Sequence, residues 1–365
     1  MATKMMAVKD LAPGGVLADA VLSVNGKVLL GKDVVLTSRH ISLLNTWDVQ
    51  GVFIHIDEEA PAAEPEPPAV TNNDSAEYME FVQNYDSIVT NTVQSFDFIR
   101  RQNVVPVPRL KDTAGTIHTA IGGNGLAAMN CLLVSDYKLA DFVSRHSVMV
   151  AFFAGIIARQ MKWSEADIQG VALAGLLHDM GSLVGGKSLD NQNKAHIAEA
   201  AGLLRETKGL SNEVILGIIQ HRECMDGSGY PSGVNGLKIH PYAKIIAVAD
   251  TFHARAYTDE YANPFPVLDM LSNEMFGKLD PGVCHTFISR VRDSLLNSKM
   301  LLSSGQEAEI IYFHPNGSSL PVVRMADAQI LDLSQHSGST ISRIIPVKGS
   351  VNIAQSVGLR TTAES

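Results

Sequence analysis

At 365 residues with 45% hydrophobic side chains, the chain can bury a sizeable core and needs no disulfide staples to fold. A formal net charge of −9 argues against a general nucleic-acid binder, because phosphate-backbone affinity needs a basic surface; no DNA partner is expected, and a small anion would need a local site. Three widely spaced cysteines, Cys131, Cys224 and Cys284, odd in number and without a Cys-x-x-Cys pair, fit thiols kept reduced as small apolar side chains.

The start reaches Asp10 before any apolar run, so no secretory leader is expected. The longest uninterrupted apolar run, Val148 to Ala158, is well short of the ~20 residues a membrane span needs. The expected location is cytoplasmic, with no membrane span. Residues 11–56 read as short strands and turns: Gly14-Gly15, a strand over Ala20 to Val24, a turn at Asn25-Gly26 and a strand over Lys27 to Leu30. Asn-Gly between two β-prone runs is a hairpin signal. A helical stretch near Thr37 to Trp47 and a strand over Gly51 to Ile56 complete a small α+β module, 1–56. Between 57 and 68 stand five acids and four prolines with no base, and such a segment cannot bury enough apolar surface to offset its ordering entropy. Residues 57–75 are therefore expected to be an acidic, proline-rich linker.

From 76 to 293 the β signals give way to helical periodicity. Ser164-Glu-Ala-Asp167 predicts a capping box opening a helix that ends in His178-Asp179, and Ser211 predicts a cap for a helix running to His221. Gly122-Gly-Asn-Gly125 reads as a turn, lacking the strand and lysine of a phosphate loop. After Leu296 the pattern alternates again in Lys299 to Leu302, Ala308 to Phe313 and Leu320 to Arg324, which predicts a small β module over 294–348. Residues 349–365 are expected to be a frayed tail. The fold class is mainly α: a helical bundle with a small N-terminal α+β module and a small C-terminal β module.

The chemistry concentrates at His178-Asp179, which closes the apolar run Val171 to Leu177. Candidate metal ligands are His146, His178, Asp179, His196, His221 and Asp250, each on or at the end of an expected helix, so that several helices could present one side chain each to a common point. His146 is expected to open the helix of Ser147 to Ala158, and Asp250 to close the run Ile245 to Ala249. A single histidine on an apolar helix is more often a hydrogen-bonded core residue. Buried carboxylates at both Asp179 and Asp250, with no basic partner evident in the sequence, need a cation, and a metal is the economical one. The loop Asp226-Gly-Ser-Gly-Tyr-Pro231 taken alone is a tight turn.

His146-Ser147, His178-Asp179-Met-Gly181, His196, the run from His221 to Pro231 and Ala247-Val-Ala-Asp250 together resemble the HD-GYP family of bacterial cyclic di-GMP phosphodiesterases. The likeness covers roughly 136–290. The run from His221 follows the family's His-His-Glu-x-x-Asp-Gly-x-Gly-Tyr-Pro pattern at every specified position except the second. The resemblance implies a helical HD bundle holding one or two transition-metal ions, iron or manganese, that activate water for attack on a phosphodiester. One metal would take His146, His178, Asp179 and Asp250. A second would take Asp179, His196, His221 and a histidine after it, and that position is Arg222.

A guanidinium offers no lone pair, so Arg222 cannot ligate; as a catalytic group beside Asp179 it is expected to clamp phosphate in place of the missing metal charge. Further departures are Ser182 where the family has a phosphate-contacting lysine, His253 where it has an aspartate, and Asp259 where it has an arginine. Ser182, Gly229, Tyr230 and Pro231 are the expected substrate-binding positions. The implied partners are a cyclic dinucleotide or another small phosphoester, a GGDEF-domain or other signalling protein, and a second copy in a homodimer. The resemblance thus implies a phosphodiesterase weakened by these losses, or alternatively a catalytically inactive relative that binds nucleotide or protein.

Overall fold

The computed structural model describes residues 2–12, 14–19, 21–22, 28–30, 36, 41, 44, 49–56, 76–122, 125–134, 142–184, 195–257, 263–273, 277–314, 319–335 and 341–345. The chain forms two compact units, 1–71 and 72–365.

In the first unit, β1 (Ala2–Ala7) pairs antiparallel with β4 (Gly51–Ile56), from Ala2↔Ile56 to Ala7↔Gly51. β4 was expected, and β1 was not. β2 (Val21–Leu22) and β3 (Val28–Leu30) pair antiparallel as the hairpin signal predicts, although the Asn25-Gly26 turn itself lies outside the described residues. Val8, Leu17, Val21, Leu36, Leu44 and Val52 form a core of their own. The expected helix over 37–47 is described only at Ile41 and Leu44, both helical, and the linker and the tail lie outside the described residues.

The second unit is helical, with α1 (Ala76–Gln102), α2 (Val107–Ile121), α3 (Leu126–Val134), α4 (Phe142–Gln160), α5 (Glu165–Leu177), α6 (Ala195–Glu206), α7 (Asn212–Gln220), α8 (Pro241–Ala256), α9 (Pro264–Ser272) and α10 (Pro281–Leu295). α4 and α5 are apolar nearly all round, the mark of helices buried on every side, and they run through the middle of the core. They touch closely because Gly175 has no side chain: a Cβ there would lie 3.0 Å from the Ala151 Cα. α8 packs on α4 through Phe252 and Phe153, and both meet Phe287 of α10, the three rings lying edge-on at 4.8 to 5.6 Å between centroids. Each such pair contributes about 0.5–1.5 kcal/mol beyond its buried area, and truncating Phe252 to Ala would cost about 3–5 kcal/mol. The cluster matters for function because it fixes the helix that carries Asp250 and His253.

Helix ends follow the sequence signals. Ser164 accepts the Asp167 N–H, although the Asp167 carboxylate takes the Ser164 hydroxyl instead of reaching back to its backbone, so only half of a capping box forms. Ser211 accepts the Val214 N–H at the start of α7. Two boundaries differ from expectation. α4 begins at Phe142, which places His146 inside the helix, and α8 continues past Asp250 to Ala256. In both cases apolar residues flank the polar one on the buried face, so the helix has no reason to stop.

The C-terminal strands β5 (Lys299–Leu302), β6 (Glu307–Phe313), β7 (Pro321–Met325), β8 (Ile330–Asp332) and β9 (Ile341–Ile344) form one antiparallel sheet in the order β8-β7-β6-β5-β9. Asn130 of α3 ties its start to α10, donating to the Ser294 carbonyl at 2.6 Å and the Ser298 hydroxyl at 3.1 Å. No described helix is long and apolar enough to cross a membrane.

Candidate metal centre

Two of the histidines sit where a helix stops. The last carbonyls of a helix lack partners, and a side chain at the terminus can supply them. His178 follows the end of α5 and donates Nδ1–H to the Gly175 carbonyl at 2.7 Å; His221 follows the end of α7 and does the same to the Ile218 carbonyl at 2.7 Å. Each ring thereby turns its Nε2 towards the centre. Both are buried, as are His146, Asp179 and Asp250.

His146 Nε2 lies 3.1 Å from His178 Nε2, 3.2 Å from Asp250 Oδ1 and 3.6 Å from Asp179 Oδ2. His178 Nε2 lies 3.3 Å from Asp179 Oδ2 and 3.9 Å from Asp250 Oδ1. A metal bonded to nitrogen and oxygen at about 2.0–2.2 Å keeps neighbouring donors about 3–3.5 Å apart, which these separations approach. Asp250 Oδ1 is buried without a hydrogen-bond partner in spite of its nearness to His146. Buried nitrogen and oxygen atoms that crowd around one point, with a carboxylate oxygen left unpaired among them, fit a shared cation, so the first group of residues suits a metal. The ligand atoms of His146, His178 and Asp250 fall within 4.8 Å of one another, and so do those of His178, Asp179 and His221.

Asp179 divides its oxygens between two groups. Oδ2 faces His146 and His178, whereas Oδ1 lies 3.6 Å from both His196 Nε2 and His221 Nε2. His196, on α6, is held near this point by backbone contact: a Cβ on Gly181 would overlap the His196 carbonyl oxygen, so only glycine lets α6 rest on the turn after His178-Asp179.

Arg222, expected as a clamp on phosphate, turns instead to the carboxylates. It does not point outward as a free phosphate clamp: Nη1 lies 3.1 Å from Asp250 Oδ2, Nη2 lies 3.9 Å from Asp179 Oδ1, and Nε–H donates to His221 Nε2 at 3.1 Å. The two buried carboxylates therefore do have a basic partner, one that helix-by-helix reading of the sequence could not bring to them. Ser182 spends its hydroxyl hydrogen on the Asp179 carbonyl at 2.7 Å. Asp259 lies outside the described residues.

The loop after His221 folds back over the site. Glu223, buried, accepts the backbone N–H groups of Ser232 at 2.8 Å and Val234 at 3.2 Å, and Tyr230 N–H donates to the Arg222 carbonyl at 3.1 Å. Gly229 is required by space, since a Cβ would come within 2.5 Å of the Arg222 carbonyl oxygen. The Tyr230–Pro231 peptide is cis, and the Tyr230 ring stands edge-on to His196 at 6.4 Å. Glu223 was missed as a functional residue, although its place as a specified position of the motif was a usable signal. The contact between His146 Nδ1 and His253 Nδ1, 2.8 Å apart, was also missed.

Burial alone would raise both carboxyls. His178 and His221 beside Asp179 overcome this and hold it well below the usual carboxylate range, and the Arg222 guanidinium, with His146, does the same for Asp250. Burial pushes His221 down to about 4, helped by Arg222. Burial, then His146 and Arg145, hold His253 well below the ordinary histidine value. His178 runs the other way, because Asp179 and Asp250 outweigh its burial and raise it.

Residues 131–281 match the family model of the HD domain. A 3'3'-cGAMP-specific phosphodiesterase of Vibrio cholerae is 31% identical over 174 residues, 42% of this chain and 37% of that protein. A cyclic di-GMP phosphodiesterase of Pseudomonas aeruginosa is 26% identical over 215 residues, 55% of this chain and 51% of that protein. The chain thus spans 37% and 51% of the lengths of these two relatives. The solved structure of Bd1817, an HDG"Y"P protein from Bdellovibrio bacteriovorus, aligns with 78% of this chain and 98% of its own at 20% identity and a TM-score of 0.47. His178-Asp179 and the loop from Asp226 to Pro231 lie inside the matched region, and residues 131–281 are an HD domain.

Proposed function

We propose that this protein is a metal-dependent phosphodiesterase acting on a cyclic dinucleotide, cyclic di-GMP foremost, which it opens to pGpG or GMP more slowly than relatives with a complete ligand set. The observation that carries the reading is the convergence of His146, His178, Asp179 and Asp250, with Asp250 Oδ1 buried and without a hydrogen bond. These four residues would hold the metal, iron or manganese by the family's usage. When bound, it supplies Lewis-acid activation of water and neutralises charge on the phosphoryl oxygens.

The rest falls to the chain itself. Asp179 presents its second oxygen towards His196 and His221, within reach of water entering from that side. Tyr230, carried with Gly229 and Pro231 on a loop whose backbone Glu223 holds, offers a ring and a hydroxyl beside His196 for a nucleotide. Ser182 brings no positive charge to the phosphate, and Arg222 is already committed to carboxylates. Slow turnover follows, since loss of a single donor to a developing oxyanion costs roughly 10²–10³-fold in rate.

A second reading, a catalytically silent module that binds a nucleotide, a GGDEF-domain protein or a second copy, is favoured by one observation: the His221 lone pair is already taken by Arg222. Incubating manganese- or iron-loaded protein with cyclic di-GMP and with 3'3'-cGAMP, and resolving the products by chromatography, separates the two. Slow metal-dependent release of pGpG supports the enzyme; tight binding with no product over many hours supports the module.

A further inference from the structure

Arg222 reaches three atoms of the cluster with three different nitrogens. Nε–H is given to His221 Nε2, Nη1 stands by Asp250 Oδ2 and Nη2 faces Asp179 Oδ1. The Asp179 Oδ1 and His221 Nε2 atoms belong to the group that also includes His196 Nε2. A neutral imidazole has one lone pair, and since His221 Nδ1–H is committed to the Ile218 carbonyl, the pair on Nε2 is the one Arg222 occupies. A divalent ion in this group would find that ligand engaged and a permanent positive charge alongside. The second group does not suit a metal.

We propose that the Arg222 guanidinium is a resident cation standing where the second metal of the centre would be, so that the domain takes one metal, beside a fixed organic charge. The inference rests on the reading of His146, His178, Asp179 and Asp250 as a metal site. The neighbouring loop is built to keep the guanidinium in place. Tyr230 N–H holds the Arg222 carbonyl, and Gly229 leaves room for that carbonyl where any side chain would collide. The backbone at 222 is thus clamped from outside while the side chain points inward.

This arrangement has a consequence that a two-metal centre lacks. A guanidinium cannot dissociate, so the carboxylates of Asp179 and Asp250 keep a positive neighbour when the metal leaves. Stability and metal occupancy are therefore partly uncoupled in this chain, where in a fully metal-filled site they would be linked.

The test compares wild type, Arg222→His and Arg222→Lys, each loaded with manganese and counted by native mass spectrometry and elemental analysis. One metal per chain is expected in wild type and in Arg222→Lys, and a rise towards two in Arg222→His, which trades the charge for a nitrogen ligand. In case Arg222→His fails to fold, a second measurement uses wild type alone: ¹⁵N spectra of its histidines with zinc should show His146 and His178 Nε2 shifting on metal binding and His221 Nε2 unmoved. Two metals in wild type, or a zinc-induced shift at His221, would overturn the inference. If wild type binds no metal, the proposed function falls. In that event an Arg222→His protein that gains metal still supports the resident cation, and one that stays empty overturns it as well.

Discussion

His146 and His253 meet Nδ1 to Nδ1 across 2.8 Å, and His253 Nε2, on the far side of its ring, is buried without a partner. A metal on His146 Nε2 requires the hydrogen on Nδ1, where it must be donated to His253. His253 then carries its own hydrogen on Nε2, where nothing accepts it. Asp at 253 would place an acceptor oxygen where Nδ1 now lies and bring no hydrogen to strand, whereas Asn would bring the oxygen with two amide hydrogens to place. His253→Asp is expected to tighten metal binding about tenfold, the low end of what a hydrogen-bond partner behind a ligand is worth, and His253→Asn by less. Zinc or manganese titration by calorimetry at mildly alkaline pH measures it, and unchanged affinity in both variants would refute the argument.

Removing the shared carboxylate should do the reverse. Asp179→Ala takes a ligand from the first group and the counter-charge from the second. Metal content is expected to fall from about one per chain to near zero, and hydrolysis of cyclic dinucleotide by about 10²-fold or more. Retained metal with a lost reaction would mean that Asp179 acts on the substrate and not on the ion.

The metal-free protein should lose stability on mild acidification. His221 is held at about 4 when folded against 6.5 when unfolded, so between those values the unfolded chain binds a proton that the folded one refuses. Unfolding free energy therefore falls as pH drops through that window, by about 1.4 kcal/mol per pH unit and about 3 kcal/mol in all. His253, depressed as well, adds with the same sign. Asp179 and Asp250, held low, lose their share only as the pH falls further, below the ordinary carboxylate range. His178, held high, stabilises below 6.5 and loses that share as pH rises through its folded value. Denaturant unfolding of chelator-treated protein across the range tests the sum, and a flat profile from 6.5 down to 4 contradicts it.

Glu223 should govern the loop more than the chemistry. Glu223→Ala leaves the Ser232 and Val234 N–H groups without their acceptor, at about 1–3 kcal/mol each where they stay buried. Amide exchange over 226–236 is expected to accelerate, with metal content retained and nucleotide affinity reduced. Glu223→Gln, which keeps one acceptor oxygen, should fall between. Equal exchange in all three proteins would remove Glu223 as the anchor.

Much of this was readable from residue order, and the reasons differ by element. α5 and α7 could be placed because Ser164 and Ser211 mark their starts and an apolar run leads each to its histidine. His146 and Asp250 stood out as polar residues among continuous apolar neighbours, although their helices extend beyond the bounds the pattern suggested. What could not be read was anything fixed by the chain's return. The inward turn of Arg222 depends on a loop that comes back to hold its carbonyl, and the His146–His253 contact joins residues 107 positions apart. β1 escaped notice because its partner, β4, lies at the far end of the first module.

His178 and His221 give their Nδ1–H to a carbonyl three residues earlier, at the ends of their helices. The orientation of two inward-facing lone pairs, that of His178 towards the metal site and that of His221 towards Arg222, is therefore decided by helix termination, before any ion arrives. Substitutions among the neighbouring side chains can change the charge around these rings, but they cannot turn the rings round without loosening the last turn of a helix. His146 answers instead to a side chain, at position 253. Of these three rings, two are locked by architecture and one is left adjustable, and natural variation could raise or lower this protein's hold on metal through a single residue behind His146 while the bundle stayed unchanged.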